Sequence, residues 1–79
     1  MPRNAKRLFG QGVRAARVKS GMSQEKLAEK ARVHINYISL LERGQRNPSL
    51  DICMKLADAL GVSPAVFFAK FEPQKPRPK

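Results

Sequence analysis

Several things are scarce in this 79-residue chain, and each scarcity removes a class of function. There is one cysteine, so no internal disulfide can form. That cysteine, Cys53, falls in an apolar helical pattern and reads as core filler, which suits a reducing cytoplasm. The one histidine, His34, has only that distant cysteine for company. Such a pair lacks the ligand count for zinc, so no metal is expected. The longest unbroken apolar run, 65–69, is far too short to span a bilayer. The opening Met-Pro-Arg-Asn-Ala-Lys-Arg is charged with no apolar stretch behind it, so no signal peptide is expected. No carboxylate pair, Ser-His-Asp set or phosphate-cradling glycine loop stands out. The chain is therefore not expected to be an enzyme or to hold a cofactor.

Acid is scarce as well. Sixteen Lys and Arg face six Asp and Glu, a net charge of +10. So much positive charge on a small body points to an anionic partner, nucleic acid first and a membrane surface second. A solvated basic surface with no partner is the plain alternative. The length allows one small domain with a modest core, and its stability is marginal unless self-association adds buried area.

What the chain does have is helical punctuation. Strand-type alternation, internal repeats and a domain boundary are all missing. Residues 1–5 read as a flexible basic N-terminus. A first helix is predicted from about Lys6 to Ser20, with Phe9, Val13 and Ala16 on one face. Gly10 and Gly12 weaken it by roughly 1 kcal/mol each relative to alanine, and Gly21 is a stop. Ser23 is a good N-cap and Glu25 favours the first turn of a second helix, which runs to about Ala31 with Leu27 and Ala28 inward. Gln24 lies where it reaches a phosphate or braces the next helix. His34 caps a third helix to about Arg43, with Ile38 and Leu41 inward, Tyr37 at the flank and Gly44 as the stop. Ser49 caps a fourth, 50–60, expected to bury Leu50, Cys53, Leu56, Ala57 and Leu60. Ser63-Pro64 opens a fifth, to about Phe71. Val66, Phe67, Phe68 and Phe71 cover more than half of its circumference. The proline-rich stretch 72–79 reads as a disordered basic tail.

Residues 23–44 organise the rest. Two short amphipathic segments are joined by a turn at 31–34, and Ala28, Val33, Ile38 and Leu41 must pack if they cross steeply. The second segment then shows solvent a face carrying His34, Asn36, Ser39 and Arg43. That is the layout of a helix-turn-helix offering its second helix to the major groove of DNA.

Gln24, Ala28, Val33, Ile38 and Leu41, with Glu-Arg-Gly at 42–44, Arg-Asn-Pro-Ser-Leu at 46–50 and Leu-Ala-Asp-Ala-Leu-Gly-Val-Ser at 56–63, resemble the lambda-repressor-like, XRE-type helix-turn-helix family. The resemblance spans roughly residues 6–71. Tyr37-Ile38-Ser39 and the Val66-Phe67-Phe68 ending look most like the controller proteins of restriction–modification systems. This resemblance implies an all-α, five-helix domain that forms a homodimer and binds a pseudo-palindromic operator in double-stranded DNA. RNA polymerase is a further candidate partner. Residues 34–36, 39, 40 and 43 would face the groove.

Among these, Asn36 suits bidentate reading of adenine, Ser39 is a comparable base reader, and Ile35 has only a thymine methyl to touch. Arg46 suits either a guanine or a phosphate, and is counted with the base readers. Gln24, Arg32, His34, Tyr37, Arg43 and Asn47 are the expected phosphate contacts. Arg32 stands where the family usually has glycine at positive φ, at a cost of about 1 kcal/mol. Arg17 and Glu42 match the family's ion pair between helices one and three. Ile52, Ala59, Val66 and Phe68 are the expected dimer interface. The alternative function is an antitoxin that masks a partner enzyme and binds DNA secondarily.

Overall fold

The structure is a computed structural model and describes residues 4–68. The elements are α1 (Ala5–Lys19), α2 (Gln24–Ala31), α3 (Ile35–Glu42), α4 (Leu50–Leu60) and a 3-10 helix, η1 (Pro64–Phe68). The class is all-α, as the sequence predicts. The expected fifth α-helix is, over 64–68, a 3-10 helix, and residues 69–71 lie outside the described residues. So do residues 1–3 and 72–79, the bulk of the two expected flexible ends.

Helix starts follow short polar side chains. Ser23 Oγ accepts from Lys26 N at 3.0 Å and Ser49 Oγ from Ile52 N at 3.2 Å. Asn4, expected to be frayed, instead caps α1 by accepting from Arg7 N at 3.2 Å, so that helix starts at Ala5. His34 caps α3 with a ring nitrogen, Nδ1 accepting from Asn36 N at 3.1 Å. This satisfies one amide that the helix leaves without a partner.

The four α-helices end alike. Each is closed by paired backbone bonds around a left-handed residue: Gly21, Arg32, Gly44 and Gly61. After α2, for example, Val33 N donates to Ala28 O at 3.0 Å and Arg32 N to Glu29 O at 3.2 Å. Glycine takes that conformation without steric cost. Arg32, at φ 61°, does not, and it is the only non-glycine at positive φ among the described residues.

Packing then follows from the apolar stripes. Phe9, Val13 and Ala16 of α1 meet Leu27, Ala28 and Ala31 of α2, Ile38 and Leu41 of α3, and Cys53, Leu56, Ala57 and Leu60 of α4. Phe67 closes the core, its ring edge-on to Phe9 with centroids 5.4 Å apart. Burial pushes the Cys53 thiol pKa up from its usual range, which keeps it protonated and fits a packing role.

One predicted core residue is misplaced. Leu50 is 80% exposed. It shares the stripe of Cys53 and Ala57, but it is the first residue of α4, at an end the described body does not cover. Within η1, Phe67 alone is buried. Val66 and Phe68 remain 43% and 42% exposed.

Candidate nucleic-acid interface

Helix α3 is amphipathic over only eight residues. Ile38 and Leu41 are buried, and Glu42 with them. Residues 35, 39 and 43 recur every four and lie on one side with Asn36, so the buried residues fix which side faces out. Ile35, Asn36 and Arg43 are exposed, while Ser39 and Leu40 are half-buried.

The other end of the bracing is ionic. Arg17 Nε donates to Glu42 Oε2 at 2.7 Å and Arg17 Nη2 to Glu42 Oε1 at 3.1 Å, a two-pronged contact from α1 to the end of α3. Arg17 Nη1 donates to the Met22 carbonyl at 2.8 Å, which ties in the start of the α1–α2 connection. Gln24 Nε2 donates to Glu42 Oε1 at 3.0 Å from the first residue of α2. Side chains of α1 and α2 thus converge on one carboxylate of α3, and α3 is held at a fixed angle to both. Of the two roles open to Gln24, bracing the next helix is visible here, and its second amide hydrogen is left over for a phosphate.

Beyond α3 the chain turns through Gly44, and Tyr37 Oη lies 3.5 Å from the Asn47 carbonyl, steadying the 45–48 loop beside the helix. Arg46 and Asn47 are exposed in that loop. Arg43 Nε donates to the Ser39 carbonyl at 3.4 Å, which leaves the rest of its guanidinium outward. The ion pairs among the described residues are Arg17–Glu42 and Lys26–Glu29. Arg32, Arg43 and Arg46 are exposed and form no ion pair among the described residues. The side-chain amide of Asn36 also has no hydrogen-bond partner among the described residues.

A braced helix with polar side chains outward and exposed cations beside it suits the charge of duplex DNA. A family profile described as "Helix-turn-helix" matches residues 13–67. The chain belongs to the helix-turn-helix family. This helix-turn-helix protein is 55% identical over 65 residues to the control protein C.BamHI of Bacillus amyloliquefaciens, covering 81% of the chain and 80% of that protein. It is 40% identical over 58 residues to the control protein C.SmaI of Serratia marcescens, covering 73% and 69%. In structure it is similar to the restriction–modification controller protein C.AhdI of Aeromonas hydrophila, with a TM-score of 0.79 at 42% identity over 81% of this chain and 97% of that one. The protein is accordingly a DNA-binding transcription regulator and not an enzyme. No described helix is long and apolar enough to cross a membrane.

The structure brings Gln24, Arg17 and Glu42 together, and sets Tyr37 against Asn47. The expected dimer residues scatter more. Ile52 and Ala59 are half-buried against the core, while Val66 and Phe68 reach solvent, with the Phe68 ring 5.4 Å from that of Phe9. Sequence reasoning missed the second partner of Arg17, the Met22 carbonyl, because a backbone acceptor leaves no trace in residue types.

Proposed function

We propose that the chain is a homodimer that reads a pseudo-palindromic operator and controls restriction–modification genes, its own included. The outer face of α3, with the amide of Asn36 unpartnered among the described residues, carries this reading. In it, Asn36 and Ser39 read base edges, Ile35 touches a thymine methyl, and Arg46 reads a guanine beside the helix. Gln24, Arg32, His34, Tyr37, Arg43 and Asn47 hold phosphates and set the register. The similarity to control proteins supports the regulated genes. The antitoxin alternative has no observation in its favour, and the reading needs no contact with RNA polymerase.

Duplexes enriched from a randomised pool give the test. Asn36→Ala should lose roughly 1–3 kcal/mol on the selected duplex, measured by fluorescence anisotropy, and almost nothing on random DNA. Equal losses on both would remove Asn36 from the readers.

Two α3 helices must sit about one helical turn apart, roughly 34 Å, to use both half-sites. Val66, Phe68, Ile52 and Ala59 are the residues proposed to join the protomers. Val66→Asp would bury a charge in that contact. Sedimentation equilibrium should find a monomer where the parent chain is a dimer, and an unchanged dimer would move the interface elsewhere.

A further inference from the structure

Three of the four α-helices are capped by an oxygen that does not titrate near neutral pH: Asn4 Oδ1 for α1, Ser23 Oγ for α2 and Ser49 Oγ for α4. Helix α3 is the exception. Its cap is the exposed imidazole of His34, whose Nδ1 accepts from Asn36 N at 3.1 Å. A ring nitrogen that accepts carries no proton, so the neutral ring keeps its hydrogen on Nε2. That Nε2–H has no hydrogen-bond partner among the described residues.

Imidazole changes charge between about pH 5 and 8, where a hydroxyl or an amide does not. A proton arriving at Nδ1 turns the acceptor into a donor, and the Asn36 N–H loses its partner. The new charge also sits at the positive end of the α3 dipole. With eight residues, α3 has few backbone bonds of its own to hold that first turn. No acid is placed to offset the charge. Of the helices packed on α3, α1 carries only cations, Lys6, Arg7, Arg14, Arg17 and Lys19. Glu42, the acid of α3, is at its far end and held by Arg17 and Gln24. On α2, Glu25 lies in the first turn and Glu29 faces Lys26, while Lys30 and Arg32 are the charges nearest His34 along the chain. Neither ion pair among the described residues includes the ring.

We propose that His34 is a positioning residue for Asn36, and that only its neutral ring does this: Nδ1 holds the first turn of α3 helical while Nε2–H is free for a phosphate oxygen. This rests on the DNA-binding reading and adds a proton-linked control of its specificity. Base edges are met only when residues 35 and 36 are helical, whereas phosphates along random sequence ask nothing of that turn. Protonation therefore lowers the preference for the operator but not the hold on DNA in general, because the added charge still attracts phosphate.

The first half of the test needs no DNA. His34 is the one histidine in the chain, so its ring nitrogens can be read alone by NMR of the isotope-labelled protein. At about pH 8 they should show the Nε2–H form; the Nδ1–H form would overturn the cap. The second half measures affinity by anisotropy for a duplex enriched from a randomised pool and for a random one, from about pH 8 to about pH 5.5. The ratio of the two should fall by about 3–5-fold in the parent chain, near the worth of one helix cap. Random-duplex affinity should hold steady or rise. His34→Ser keeps a capping oxygen without a titrating group, and its ratio should stay constant with pH. His34→Ala should give a low ratio at every pH. A flat parent profile, or an equal fall in His34→Ser, would overturn the proposal and leave the DNA-binding reading intact. An enriched duplex bound no better than random DNA at any pH would instead sink that reading, and this control of it.

Discussion

Glu42→Ala is expected to destabilise the domain by about 3–5 kcal/mol, the range for breaking one side of a buried pair. The Glu42 side chain is 3% exposed and that of Arg17 is 11% exposed. The variant leaves the guanidinium held by the Met22 carbonyl alone, with its charge uncompensated and little water to replace the carboxylate. It also frees Gln24 Nε2. Native domains hold about 5–15 kcal/mol in total, and one this small belongs near the lower end. The variant should therefore be partly unfolded at 25 °C, with a urea midpoint far below that of the parent.

Two companions separate charge from contact. Gln24→Ala removes one hydrogen bond to a charged group and should cost less, about 1.5–3 kcal/mol at most. The double change Arg17→Met, Glu42→Leu removes both charges and should recover much of the loss, because two apolar side chains leave nothing unpaired. A Glu42→Ala midpoint within about 1 kcal/mol of the parent would show that water reaches the pair and that it acts like an exposed one.

The same carboxylate shows where the sequence was readable. The caps Ser23 and Ser49 and the stops Gly21, Gly44 and Gly61 act over three or four residues, so their roles are local and their helices fall close to the predicted bounds. The family resemblance paired Arg17 with Glu42. Nothing local fixed Gln24, which had two roles open, because the choice depends on a partner in another helix. Leu50 misled for a related reason. Periodicity gives the side of a helix that faces inward, but not how far along its length the neighbouring elements reach. The 3-10 form of 64–68 was hidden behind an N-cap and proline that open either kind of helix.

Gly10 was read least well by pattern, and it carries the other large effect. Read locally, it weakens α1, and alanine there should gain about 1 kcal/mol. In the fold, a Cβ at Gly10 overlaps the carbonyl oxygen of Leu41 and presses on that of Glu42 at 3.0 Å. Both are backbone atoms at the end of α3, and the Leu41 carbonyl already accepts from Gly44 N at 3.0 Å. No side chain can swing aside, so α1 must move away from α3 as a body. That motion opens the Phe9 side of the core and stretches the Arg17–Glu42 contact about two turns along the same helix. Gly10→Ala is expected to destabilise by about 2–3 kcal/mol, towards the upper end for overpacking. Thermal melting should fall by roughly 10–20 °C. Gly21→Ala is the control: its Cβ meets nothing within 4 Å, so it shows only the left-handed penalty, near 1 kcal/mol. Combined with Glu42→Ala, Gly10→Ala should add less than its separate cost, because both changes loosen the same crossing. A Gly10→Ala protein that melts above the parent would mean α1 and α3 stand further apart than this close approach, and the fixed presentation of Asn36 and Ser39 would lose its physical basis.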